Sequence, residues 1–321
     1  MKIIEEDQVR KLLTPEKCME VMRKTFIDLE LGKCTMPQRM ICRMPNTAAF
    51  GFMPAYIGDF FGAKVITAYE PNMGTGYPSH IGYVMLFESR HCTVCGMIEA
   101  GSITEIRTGC VSAIATDLLA EKNTHTMAVI GAGAQARSHL AAIRLVREIT
   151  EVMVYDKNPE ASMHYAEEMK CKYSIPVKVC ESVEQAVADA DIICTVCPAK
   201  EAYLTRNMVK KGVHINAVGT FSPTTREVAS DLIGASRLYS DDTSCCRKES
   251  GEYLIPLKEG IIKEDHIVGS IGELLLGKVP GRKKKDDITV FDALGLAVED
   301  VASAEIVYLD SEKEKDNESL R

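Results

Sequence analysis

The stretch of this chain that carries the most chemistry is a small-residue turn. Thr126-Met-Ala-Val-Ile-Gly131-Ala-Gly133-Ala134-Gln135-Ala136 is an apolar strand running into Gly-x-Gly-x-x-Ala and then a helix-like segment. Gly131 permits a tight turn, Gly133 lets the backbone approach a pyrophosphate, and Ala136 lets helix and strand pack closely. A helix N-terminus at that place offers unpaired amides and the positive end of a dipole to phosphates. The next apolar run, Glu151-Val-Met-Val-Tyr-Asp156, ends in an acid at the spacing of a ribose partner. An Asp there accepts the ribose hydroxyls and repels a 2′-phosphate, which favours NAD; the adjacent Lys157 tolerates a phosphate and keeps NADP open.

A dinucleotide implies hydride transfer, and the partner substrate has to be held outside this half. Three cations of the N-terminal half stand in apolar or small-residue surroundings: Arg39 in Met-Pro-Gln-Arg-Met, Lys64 in Phe-Gly-Ala-Lys-Val-Ile, and Arg107 in Ile-Thr-Glu-Ile-Arg-Thr-Gly-Cys-Val. A guanidinium fork grips a carboxylate through two parallel bonds, and a partly desolvated lysine holds or releases a proton near neutrality. Taken singly, each is better explained as a surface or snorkelling cation. Two Cys-Thr-Val-Cys stretches, Cys92–Cys95 and Cys194–Cys197, raise the question of zinc. The second lies in a β-type run, where positions i and i+3 point to opposite faces. The first has the same flavour, although a hairpin turn there is open. Buried, reduced core thiols are the preferred reading, with no metal.

The elements that must position these residues follow from the pattern of apolar positions. Residues 1–30 read as helical, with Thr14-Pro15-Glu16 as a start signal and Cys18, Val21, Met22, Phe26, Ile27 and Leu29 at helical spacing. From Pro37 to Met97 short β-type runs alternate with Gly, Pro and Asn, which predicts an antiparallel meander. Glu99 to Leu119 reads as a helix with Ile106, Cys110, Ile114 and Leu118 on one face. Beyond Thr126 strands alternate with helices, the signature of a parallel sheet covered by helices. The strands expected are Met127–Ile130, Glu151–Tyr155, Val177–Val179, Asp191–Val196, His214–Val218 and Arg237–Ser240. Arg282-Lys-Lys-Lys reads as a solvated turn and the polar tail after Leu309 as a frayed end.

The 321 residues suit two domains, and 46% hydrophobic with 26% charged residues supply a sizeable core. A net charge of −8 argues against a nucleic-acid partner. The apolar runs fall short of the ~20 residues a bilayer needs, and the acidic start is unlike a signal peptide. A cytoplasmic protein with no membrane partner is expected, its twelve cysteines reduced.

Several segments together resemble the ornithine cyclodeaminase/mu-crystallin family. They are Phe52-Met-Pro-Ala-Tyr, Gly62-Ala-Lys64-Val, Pro78-Ser-His80, Glu105-Ile-Arg107-Thr-Gly-Cys-Val-Ser-Ala, Gly131-Ala-Gly-Ala-Gln-Ala, Asn216-Ala-Val218-Gly219 and Thr289-Val-Phe-Asp-Ala293-Leu294-Gly295-Leu-Ala-Val-Glu-Asp300. The likeness runs from about Met36 to Asp300. It implies an α/β fold in which a Rossmann-type dinucleotide-binding domain, residues 121–290, is inserted into a discontinuous α+β domain. That second domain, residues 1–120 and 291–321, would bind substrate and form a homodimer. It further implies a carboxylate clamp of Arg39, Lys64 and Arg107, with Lys64 and Arg107 catalytic and Phe221 and Leu294 lining the substrate pocket. The cofactor would be held at Gly131, Gly133, Ala134, Gln135 and Asp156, with the nicotinamide near Ser79, Thr195, Val218, Gly219 and Ala293.

Two departures decide among the family's reactions. Cyclodeaminases resemble one another in a Gly-Gly-Asp-Cys-Pro-Gly-Lys loop whose Asp handles the substrate amine; Phe221 stands there in this chain. They also carry a Glu shortly before the Met-Pro for the distal amine, where this chain has Gly51. An ammonium left unpaired in such a pocket costs several kcal/mol, which disfavours a diamine. The expected activity is therefore an NAD(P)-dependent oxidoreductase acting on the C–N bond of a small amino or imino acid, as a ketimine reductase or amino-acid dehydrogenase. Hydride would pass at the α-carbon and Lys64 would move the proton. His80 is open as a second donor or as a structural turn residue. Ornithine cyclodeamination to proline and ammonia, and a non-catalytic ligand carrier, are the alternatives.

Overall fold

The computed structural model describes residues 1–46, 48–72 and 75–319 and divides the chain into two compact units, Met1–Arg107 with Leu296–Arg321, and Thr108–Gly295. The first unit opens with β1 (Lys2–Ile4), α1 (Glu6–Leu12) and α2 (Pro15–Glu30), the last started by Thr14 accepting from Lys17 N and by Pro15 in the first turn. The meander follows as β2 (Met40–Arg43), β3 (Ala49–Tyr56), β4 (Phe60–Ala68), β5 (His80–Glu88) and β6 (Val94–Glu99), and then α3 (Ala100–Leu119). The sheet order is β1-β6-β5-β4-β3-β2, antiparallel except that β1 runs parallel to β6. Residues 2–4 are thus a strand where a helix was expected, with Ile4 fully buried. Three residues are too few to show a period.

The second unit begins with β7 (Thr126–Ile130), α4 (Ala134–Ile143), β8 (Glu151–Tyr155), α5 (Pro159–Tyr173), β9 (Val177–Val179), α6 (Val183–Val187) and β10 (Ile192–Thr195). It continues through β11 (His214–Ala217), α7 (Ser230–Gly234), β12 (Ser236–Ser240), α8 (Thr243–Glu249), α9 (Gly251–Lys258), β13 (Ile267–Ser270), α10 (Ile271–Leu275) and β14 (Ile288–Asp292). All eight strands are parallel, in the order β13-β12-β14-β11-β10-β7-β8-β9. The chain leaves β7 toward β8 and β9 and returns to its other side as β10. This reversal is the switch point at which open α/β sheets bind ligands, beyond the strands' C-terminal ends. β13 and β14 are absent from the strands expected above. The chain closes in the first unit with α11 (Ala297–Ser319), packed on β3, β4, β5 and β6.

Three further expectations are corrected. Helix α3 has no single apolar face: every residue from Arg107 to Thr116 is buried, whereas Ile106 and Leu118 are half-buried. The chain after Leu309 is helix through Ser319 rather than a frayed end, tied by Lys2 to Glu312 (2.9 Å) and Lys17 to Asp310 (2.6 Å); residues 320–321 lie outside the described residues. Arg282 is no solvated residue, because it donates to Leu119 O (2.8 Å) and Thr289 Oγ1 (3.0 Å), while Lys283–Lys285 are exposed. Among the cysteines, Cys92 is exposed on the β5–β6 turn with a left-handed φ of 56°, and Cys42 and Cys171 are exposed as well. The buried-thiol reading therefore holds for Cys194 and fails for Cys92.

Candidate active site

Alternation in β4 puts Lys64 on the face of the meander that α11 covers, beside Met53 of β3 and Val84 of β5 in the register. Helix α11 begins with Glu299 and Asp300 in its first turn, and these acids meet the cations. Lys64 Nζ lies 2.8 Å from Asp300 Oδ2 and 3.4 Å from Thr104 Oγ1. Arg107 Nε lies 3.2 Å from the other Asp300 oxygen, and its Nη1 donates to Glu299 Oε2 at 2.8 Å. The remaining Glu299 oxygen caps α11 by accepting from Leu296 N at 2.9 Å. Two cations and two carboxylates thus form one buried group, with Lys64 3% and Arg107 5% exposed. Burial pushes the Lys64 ammonium below its ordinary range; Asp300 opposes this and the Arg107 charge adds to it. Burial also works against the Arg107 charge, but Glu299 and Asp300 outweigh it and hold the guanidinium charged. The Arg107 Nη2 is the donor that the two acids do not engage.

Arg39 is half-buried just ahead of β2, and β2 lies two strand spacings, roughly 9–10 Å, from β4. Ser79 is half-buried ahead of β5, its Oγ 3.1 Å from His80 Nδ1. His80 pairs with Ala68 and shares the Lys64 face by register. At Gly51 a side chain would meet Ile66 Cγ2 at 3.1 Å and Ile41 Cδ1 at 3.2 Å, so aliphatic groups flank that position.

In the second unit, Gly131 leaves β7 with φ 103°, a conformation that asks for glycine. Its N–H donates to Tyr155 O at 2.8 Å, and a Cβ there would crowd Val196 O at 3.1 Å. A Cβ on Gly133 would meet nothing within 4 Å, and Gly133 is the N-cap of α4, so the backbone at the helix start can be approached closely. Asp156 accepts from Ala132 N (2.8 Å) and Asn158 N (2.8 Å), which fixes its carboxylate beside the glycine turn. An approachable helix start, a backbone without side chains at Gly131 and Gly133 and a fixed acid suit a dinucleotide. Thr195 ends β10 opposite Ile130 of β7, fully buried. Val218 and Gly219 follow β11 and are half-buried, and Ala293 N donates to Ala217 O at 2.9 Å. Leu294 packs in the core of this unit, and Phe221 is 57% exposed.

Sequence reasoning gave no role to Asp300, Glu299 or Glu227. The first two close the Thr289–Asp300 segment, where paired acids at a helix start were a usable signal. Glu227 closes the loop stretch Ser222-Pro-Thr-Thr-Arg226-Glu227, whose Ser-Pro-x-x-Arg-Glu pattern resembles the family's ketimine reductases but assigns the acid no role. Among the described residues no group of three or more His, Cys, Asp or Glu is placed to hold a metal, and no helix is long and apolar enough to cross a membrane.

A parallel sheet with a glycine turn in one unit, and a meander holding buried cations in the other, define an α/β oxidoreductase architecture. The chain belongs to the ornithine cyclodeaminase/mu-crystallin family, whose model matches residues 2–316. It is 35% identical over 280 residues to the ketimine reductase mu-crystallin of Mus musculus, covering 86% of this chain and 85% of that one. The structure of Thermococcus litoralis Δ1-pyrroline-2-carboxylate reductase in complex with NADH and L-proline superposes with a TM-score of 0.95 at 33% identity, over 98% of both chains. An archaeal alanine dehydrogenase dimer with bound NAD superposes with a TM-score of 0.92 at 27% identity, over 98% of this chain and 96% of that one.

Proposed function

We propose that this protein is an NAD(P)-dependent imine reductase that converts a small cyclic or linear imino acid into the amino acid and runs in reverse as an amino-acid dehydrogenase. The observation that carries the reading is the buried group in which Lys64 and Arg107 share the carboxylate of Asp300. Bound NAD(H) supplies or accepts the hydride at the substrate's α-carbon. Gly131, Gly133, Ala134 and Gln135 hold its pyrophosphate, Asp156 its ribose, and Ser79, Thr195, Val218, Gly219 and Ala293 the nicotinamide end. The substrate carboxylate is gripped by Arg39 and by the Arg107 Nη2, since Nε and Nη1 are taken by acids. Lys64 Nζ gives a proton to the imine nitrogen as it becomes an amine, and a depressed pKa suits a donor that must also reload. Phe221 and Leu294 keep the remaining pocket apolar. Ile66 and Ile41 beside Gly51 offer a diamine no acidic handle.

The molecule works as a cytoplasmic homodimer in this reading. The dimeric archaeal relative and the apolar outer face of the meander support the assembly. The test is to follow NADH and NADPH consumption with Δ1-pyrroline-2-carboxylate, Δ1-piperideine-2-carboxylate, and pyruvate with ammonia. Turnover of at least one, faster with NADH, is expected. Proline and ammonia from L-ornithine with no net change in NAD would return the protein to cyclodeamination. Cofactor binding without turnover on any of them would make it a carrier.

A further inference from the structure

Within the second unit one acid outside the roles above ties two strand ends together. Glu227 is fully buried, and no cation pairs with it among the described residues. Its Oε2 accepts from Thr195 Oγ1 (2.8 Å), at the end of β10, and from Gly219 N (2.7 Å), just past β11. Its Oε1 accepts from Cys197 N (3.1 Å) and from the Tyr203 hydroxyl (2.8 Å). The approach is possible because residue 219 is glycine: a Cβ there would run into Cys197 O and stand 2.5 Å from Glu227 Oε1. The acid is itself fixed, since Glu227 N donates to Glu252 Oε1 (2.7 Å) and its carbonyl accepts from Tyr203 N and Leu204 N. Thr195 and Gly219 are two of the residues given above to the nicotinamide end. The glycine turn and Asp156 have other anchors, Gly131 N to Tyr155 O and Ala132 N to Asp156.

We propose that Glu227 is the positioning residue for the nicotinamide end of the dinucleotide: by accepting from Thr195, Cys197 and Gly219 at once it holds the ends of β10 and β11 in the register that receives the ring. The inference rests on the cofactor placement proposed above. It requires a carboxylate and not merely a side chain of that shape. Each oxygen faces one backbone N–H, which cannot reverse its polarity, so a glutamine sets its NH₂ against Gly219 N or Cys197 N whichever way it turns. Aspartate keeps all the acceptors but withdraws them by one methylene.

The experiment titrates wild type, Glu227→Gln and Glu227→Asp with NADH and, separately, with ADP-ribose, which keeps the adenosine and pyrophosphate and lacks the nicotinamide. Wild type is expected to bind NADH more tightly than ADP-ribose. Glu227→Gln is expected to lose at least about tenfold in NADH affinity, and to raise KM for NADH alike, while ADP-ribose stays within about twofold. Glu227→Asp recovers part of the loss; should the glutamine variant not fold, the same selective loss in Glu227→Asp relative to wild type is the result expected. Equal losses for both ligands, or no loss for either, would overturn the positioning role. A wild type that binds NADH no better than ADP-ribose would instead remove the nicotinamide placement on which the proposal stands, and that failure shows before any variant is made.

Discussion

Lys64 owes its chemistry to neighbours that pull in opposite directions. Burial and the Arg107 charge favour the neutral amine, and Asp300 at 2.8 Å favours the ammonium. With Lys64 as the proposed proton donor, imine reduction needs the ammonium, so its rate should be full below the folded pKa of Lys64 and fall as pH rises through it. Amino-acid oxidation then needs the amine and should rise over the same window. Asp300→Asn removes an influence that raises this pKa, so the falling limb of reductive kcat/KM should move to lower pH. Lys64→Met should lower turnover by roughly 10²–10⁴-fold and abolish the limb, with NADH affinity unchanged. A pH profile of kcat/KM in both directions checks the set. A limb that stays in place in Asp300→Asn would show that another group carries the proton.

At the scale of the element, helix α3 shows why some of this architecture was legible in the sequence and some was not. The Arg107-Thr-Gly stretch stood out by its residue types, and the structure gives its glycine a reason. A Cβ on Gly109 would lie 2.6 Å from both C and O of Ser138, so α3 and α4 touch backbone to backbone within the second unit. Gly109→Ala should cost about 1–3 kcal/mol through overpacking, read as a lower urea midpoint with an unchanged slope. Wild-type stability in that variant would mean α4 yields freely. The burial of α3 on nearly all sides was not legible, because a helix without a polar face leaves no stripe to read. Six strands of the second unit, β7 to β12, were found to within a residue or so, being apolar runs between turn signals; β14 was missed although it lies between β12 and β11, and the short Ile267-Val-Gly-Ser of β13 carries no such mark. The charged tail misled for another reason: its polar residues are partners of Lys2 and Lys17 on the N-terminal elements, and pairing at long sequence distance is invisible to local composition. The role of Glu227 was silent likewise, since five donors from three segments converge on it only once the sheet has formed.

For the whole molecule the question left by the fold is what covers the outer face of the meander. Phe52, Val65 and Tyr83 form one row on that side, opposite in pleat to Met53, Lys64 and Val84. Phe61 stacks on Phe87 at 5.1 Å, and a groove of about 350 Å³ is lined by Val65, Thr67, Ile81, Tyr83, Met85 and Met97. Ile81 is 54% and Tyr56 43% exposed. Apolar surface of this continuity on one sheet marks an association face, and a second copy of the chain is the occupant our reading assigns. A single carboxylate placed there should be harmless to the fold and harmful to the pairing, because on association it would be buried without a cation. Ile81→Asp should therefore shift the sedimenting species from dimer toward monomer at micromolar concentration with its circular dichroism unchanged. Ile261→Asp, at an equally exposed isoleucine of the second unit, should sediment as wild type. A monomeric wild type, or an Ile81→Asp protein that stays a dimer, would mean that this face is covered by something else.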